Sequence, residues 1–255
     1  MFFRLKHALR SSRKVAARVV RRDRRLTPEV AALETRSLLS TIPSFKNGAN
    51  LFVTELYNDL FRRNPTAGEL SYNATYIQNG GSVEALTHKL VTSTERKAVE
   101  TVFFYQNYLN RNPDLGGLVY QIDQLNHGAS PIQVQVGLIT SPEFQSAHVS
   151  NKSYVDALYF DILGRAPDGP GEFSYVSRLN TNAATRKDVA LSLFNSQEYA
   201  SRVISADFNL VLNRGAEASA ANYWTPNFRA TGKDADLLVA LFASPENFNN
   251  LKKLS

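Results

Sequence analysis

The chain has 255 residues, 43% of them apolar, a length and composition that allow a packed core and argue against bulk disorder. It has no cysteine, which excludes disulfides, thiol chemistry and cysteine metal sites, and no run of 18 apolar residues that would span a membrane as a helix. The net charge of +6 is concentrated at one end: residues 1–25 hold ten Lys/Arg and one acid, Asp23, while residues 26–255 hold 19 Lys/Arg and 22 acids. The body is therefore mildly acidic and lacks the basic face that a nucleic-acid binder needs.

In residues 1–25, Phe2, Leu5, Leu9, Val15 and Val19 recur at loosely helical spacing among the basic side chains. The stretch reads as a solvated basic tail or targeting segment, or as a basic amphipathic helix for an anionic surface. Thr27, Pro28 and Glu29 then suit a helix start. The string Leu33-Glu34-Thr35-Arg36-Ser37-Leu38-Leu39-Ser40 follows the Arg-rich run. It resembles the N-terminal Leu-Glu-x-Arg-x-Leu-Leu-Ser tag of planctomycete exported proteins, which implies an extracellular or cell-surface location. Pro43, Asn47 and Gly48 mark residues 41–48 as a linker. These 48 residues form the first division of the chain; residues 49–150 and 151–255 each hold two copies of a motif.

The motif sets an aromatic six residues before an Arg and a Ser-x-Glu about thirty residues after it. Its copies are Tyr57, Arg63, Pro65, Ser93 and Glu95; Tyr105, Arg111, Pro113, Asp114, Ser141 and Glu143; Tyr159, Arg165, Pro167, Asp168, Ser196 and Glu198; and Phe208, Arg214, Ser244 and Glu246. From Arg to Ser the spacing is 30, 30, 31 and 30, and from Arg to Arg 48, 54 and 49. Near-constant spacing over four copies predicts an all-α tandem array, with about three helices to each copy of roughly 50 residues.

The first helix, 50–62 in copy one, ends at the Arg, which reads as a cap on its last carbonyls. The following Pro cannot continue the helix. The second helix starts on a capping box at Thr66 and Glu69, or on Asp114 or Asp168. Tyr72, Tyr120, Tyr175 and the Tyr223-Trp224 pair follow nine or ten residues past each Arg, and are expected to pack on the aromatic ahead of it. Gly80, Gly128 and Gly232 suit the left-handed residue at that helix's end. A third helix, apolar at Val83, Leu86 and Leu90 and at matching positions later, stops at the Ser that caps the next helix. With no Gly or Pro in 94–110 or 197–213, that next helix is expected to run straight into the following copy.

The pattern of aromatic, Arg-x-Pro-Asp, Gly-Leu-x-Tyr, Gly and Ser-x-Glu-aromatic resembles the bacterial family known as domain of unknown function 4214. Copy two carries it best, through Tyr105, Arg111, Pro113, Asp114, Gly117, Leu118, Tyr120, Gly128, Ser141, Glu143 and Phe144. Copy three carries it with one residue inserted near Gly169-Pro170, and copy four most loosely. The resemblance implies an all-helical fold in secreted or surface-layer proteins, similar to phycobilisome linker domains, and a non-enzymatic adhesive or scaffolding role. It supplies no catalytic residue.

The arginines could line a site for acidic polysaccharide, but the motif accounts for them as helix-end residues paired with its glutamates. Asp114 and Asp168 lack the alternating acids of a calcium loop. His7, His88, His127 and His148 share no metal spacing, and the repeated Ser residues lie in capping strings. Trp224 is the best candidate for an exposed aromatic. No catalytic, cofactor or metal site is expected. The expected role is a surface module contacting polysaccharide or another envelope protein; the alternative is homotypic, linker-type assembly.

Overall fold

Helix starts are written into this chain by short polar side chains, and nearly every one is used. The structure, a computed structural model, describes residues 45–253. The basic tail, the string at 33–40 and residues 41–44 of the expected linker lie outside the described residues. The elements in order are α1 (Phe45–Phe61), α2 (Ala67–Gln78), α3 (Val83–Val91), α4 (Thr94–Leu109), α5 (Leu115–Asn126), α6 (Pro131–Ile139), α7 (Pro142–Ala147) and α8 (Asn151–Leu158). A π-helical segment (Tyr159–Leu163) continues α8. Then come α9 (Gly169–Asn180), α10 (Arg186–Phe194), α11 (Gln197–Leu212), α12 (Ala218–Thr231), α13 (Ala235–Phe242) and α14 (Pro245–Lys252). Among the described residues there is no strand; the protein is all-α.

The capping logic holds in detail. Ser93, Ser141, Ser196 and Ser244 each accept a backbone N–H from three residues on. Asp114 and Asp168 cap α5 and α9 in the same way, and Thr66 with Glu69 closes a capping box on α2. Helices α4 and α11 run unbroken from their Ser cap into the next aromatic, as expected.

Three sequence expectations need correction. Helix α1 begins at Phe45, so residues 45–48 are helical rather than linker. Ala49, Phe52, Val53 and Leu56 are buried just beyond, and that packing outweighs the turn preference of Asn47 and Gly48. The motif Arg does not cap the first helix. The chain turns away one residue earlier, at left-handed Arg62, Asn110, Gly164 and Asn213, and the Arg follows that turn. Finally, the extra residue of copy three is not near Gly169-Pro170. Asp168 Oδ1 accepts from Gly171 N as Asp114 Oδ1 does from Gly117 N, so the two copies stay in register there. The additional residue sits in the turn after α9, where Asn182 is left-handed.

The described residues fall in one compact unit. Its core helices cross between distant parts of the sequence. Helix α3 packs on α13, α6 packs on α10, and the last helix, α14, packs on the first, α1. Phe52 and Phe248 meet there with ring centroids 5.6 Å apart. The third helices carry the expected apolar residues inward: Val83, Leu86, Leu90, Val134, Leu138, Ile139, Val189, Leu193, Phe194, Leu237, Leu241 and Phe242 are all buried.

Candidate interaction surface

The four motif arginines are engaged. Nε and Nη2 of each donate to the two carboxylate oxygens of the Glu in the next capping string. The distances are 2.6 and 2.9 Å for Arg63–Glu95, 2.6 and 2.7 Å for Arg111–Glu143, 2.5 and 2.8 Å for Arg165–Glu198, and 2.6 and 2.7 Å for Arg214–Glu246. Nη1 donates to the carbonyl of the following residue at 3.0–3.1 Å in every copy. The guanidinium also lies over the ring six residues back, 5.2 Å from Tyr57, 5.2 Å from Tyr105, 5.1 Å from Tyr159 and 5.2 Å from Phe208. Arg63 holds a second carboxylate, Glu69.

This fork-to-fork pairing is the strong form of an Arg–carboxylate contact. It raises the guanidinium pKa in each copy and holds the carboxyls of Glu143, Glu198 and Glu246 below their usual range. Hydrogen bonds from Arg63, and then from Thr66, bring Glu69 down to about 2. The clasp joins the end of each first helix to the start of the helix after the third. Its arginines are spent on this joint rather than offered to an anionic ligand. The half-buried Pro65, Pro113 and Pro167 lie two residues on, holding the chain extended before the next cap.

A second fit supports the clasp. A Cβ added at Gly117 would stand 2.6 Å from the Tyr105 hydroxyl, and one at Gly171 would meet the Tyr159 hydroxyl still more closely. In copy four the same position is Ala220, and the ring opposite is Phe208, which has no hydroxyl.

The second-helix aromatics divide differently from expectation. Tyr72, Tyr120 and Tyr223, each nine residues past its Arg, are 67%, 59% and 58% exposed. The inward position is one residue later, since successive helix residues differ in direction by about 100°. There Asn73 donates to the Tyr57 hydroxyl at 3.1 Å, Gln121 is buried, and Tyr175 meets the Tyr159 ring at 6.2 Å. Trp224 holds this position in copy four and is half-buried, so Tyr223 is the exposed ring of that pair. Tyr175 is thus the counterpart of Trp224 and not of Tyr72. Beside Tyr120, Leu115 and Val119 are also exposed; Phe173 of α9, level with Val119, is exposed too.

Comparison with known proteins agrees with the motif. Residues 101–148 and 137–203 match the family model described as Domain of unknown function (DUF4214). The DUF4214 stretches contain the Arg111–Glu143 and Arg165–Glu198 clasps, the two Gly–Tyr fits and both Asp caps. No curated protein and no solved structure matches the chain.

One polar feature escaped the sequence reading. Asp207 is buried on α11, and Arg96 and Glu100 are half-buried on α4. Counted from the Ser cap, Arg96 takes the place held by Phe144, Tyr199 and Asn247, and Glu100 that of His148, Val203 and Leu251; counted back from the motif Arg, Asp207 takes the place of Leu56, Phe104 and Leu158. Aligning the four copies on the motif was the signal that could have found it.

Proposed function

We propose that this protein is a non-enzymatic binding or scaffolding module of the cell surface, contacting envelope polysaccharide through aromatic side chains on its second helices. Exposure of Tyr72, Tyr120 and Tyr223 at one equivalent position in three copies carries this reading. An exposed ring offers an apolar face with a polar tip, which suits the face of a sugar, and a recurring ring suits a ligand that itself repeats. The tag-like string at 33–40 supports export to the surface. The test is retention of the full chain on envelope polysaccharide fractions, beside a variant with Tyr72→Ser, Tyr120→Ser and Tyr223→Ser. Retention of the parent and its loss in an equally stable variant is the expected result. A parent that binds no fraction, or a variant that binds as well, refutes it.

Homotypic assembly is the second reading, favoured by exposed Leu115, Val119 and Tyr120 lying together on α5. Light scattering that finds a strict monomer at high concentration removes it.

A further inference from the structure

The fold has two comparable cross-chain packings, α6 on α10 and α3 on α13. Around the first, rings stand where Arg96 stands in the second, with His148 at the place of Glu100 and Asp161 of the π-helical segment acting on Tyr108. Phe144 and Tyr199 are buried, and the hydroxyls of Tyr108 and Tyr199 both donate to Gln135 Oε1, at 2.6 and 3.4 Å. Around the second, the corresponding side chains are charged. Arg96 Nη1 donates to the Leu60 carbonyl at the end of α1 at 3.0 Å, and Arg96 Nε lies 3.0 Å from Glu100 Oε1. Glu100 also feels Lys97 on its own helix and Asp234 at the head of α13; Asp207, on α11, feels Asp234, Arg96 and Glu100. Arg62, at the end of α1, faces Arg96.

Glu100, Asp207 and Asp234 all act on the half-buried Arg96. Asp207 is only 7% exposed and its Oδ2 has no hydrogen-bond partner; neither does the hydroxyl of fully buried Thr87 on α3 or Thr101 on α4. Ionising Asp207 would leave a buried carboxylate oxygen unbonded, which favours its protonated form. Burial is the leading cause that pushes Glu100 up to about 7 and Asp207 well above the usual carboxylate range.

We propose that the packing of α3, α4, α11 and α13 is a proton-operated latch, closed while Glu100 and Asp207 carry protons and loosened when they ionise. The α6–α10 packing has titratable neighbours of its own, His148 and Asp161, so the control is a variant made neutral at positions 100 and 207. The sign follows from the unfolded chain, where both carboxyls ionise near pH 4–4.5. Between there and neutrality the closed form keeps protons that the open form releases, so raising the pH favours opening.

Hydrogen exchange on the full chain at pH 5.5 and pH 8, corrected for intrinsic exchange rates, tests this. Protection in α3 and α13 is expected to fall on the order of tenfold at the higher pH. The neutral variant Glu100→Gln with Asp207→Asn is expected to erase that difference, and to leave any response of α6 and α10, beside Asp161 and His148, as in the parent. No change in α3 and α13 of the parent overturns the proposal. So does a folded variant that keeps the parent's pH response there. If the double variant does not fold, Asp207→Asn alone is expected to reduce the difference, and an unreduced one overturns the proposal.

Discussion

Gly117→Ala probes whether the motif glycine exists to admit a hydroxyl. The new Cβ would lie 2.6 Å from Tyr105 Oη, where ordinary contact starts at 3.4 Å. The ring is 6% exposed and lies beneath the Arg111 guanidinium, so it has little room to swing. Overpacking of this kind costs about 1–3 kcal/mol, offset by about 0.5–1 kcal/mol from replacing glycine in a helix. The net expectation is a loss of about 1–2 kcal/mol, or roughly 2–8 °C in Tm for a domain of this size. Tyr105→Phe removes the clashing oxygen. In that background Gly117→Ala should become neutral or stabilising by about 0.5 kcal/mol, the pairing that copy four has in Phe208 and Ala220; copy one, with Tyr57 and Glu69, has neither pairing. Urea denaturation of the four proteins in the cycle gives the coupling, expected at about 1–3 kcal/mol. If Gly117→Ala is equally harmful beside Phe, the hydroxyl is not the reason for the glycine.

Other outcomes follow from the same geometry. Glu246→Gln breaks a largely exposed clasp; after solvent screening it should cost about 0.5–1 kcal/mol, read as a lower urea midpoint. Asp207→Leu restores the residue type of Leu56 and Leu158; at pH 8 it should stabilise the protein by about 1–3 kcal/mol, and less at pH 5. Stability should peak near pH 5. The depressed carboxyls of Glu69, Glu143, Glu198 and Glu246 stabilise above their unfolded pKa, and that contribution is lost as acid protonates them; raised Glu100 and Asp161 withdraw stability as the pH rises from about 4–4.5 to 7. A urea midpoint that rises steadily from pH 5 to pH 8 contradicts the assignment for Glu100.

Helix starts were legible because capping is local: Ser93, Thr66 and Asp114 act within three residues of themselves. The third helices were legible because burial there follows the helical period. The second helices end where expected, at left-handed Gly80, Gly128 and Gly232, but the ends of the first helices were not legible. Arg62 shows why: a left-handed turn at an arginine has no signature in composition, and its neighbour Arg63, being conspicuous, drew the assignment. The outward turn of Tyr72, Tyr120 and Tyr223 depended on a one-residue difference in phase, about 100° of rotation, finer than motif spacing resolves. Arg96, Glu100 and Asp207 carry the letters of a solvated helix face, so composition gives no sign that they turn inward. The covering element, α13, comes from far along the sequence.

The meeting of α1 with α14, through Phe52 and Phe248, has a practical corollary. Beginning and end of the folded unit are neighbours, so a linker from residue 253 back to residue 45 joins them without crossing the core. New termini can then be cut between α7 and α8, at exposed Val149. Such a circular permutant should fold to the same helices, and it would carry any fused cargo between α7 and α8, away from the joined ends.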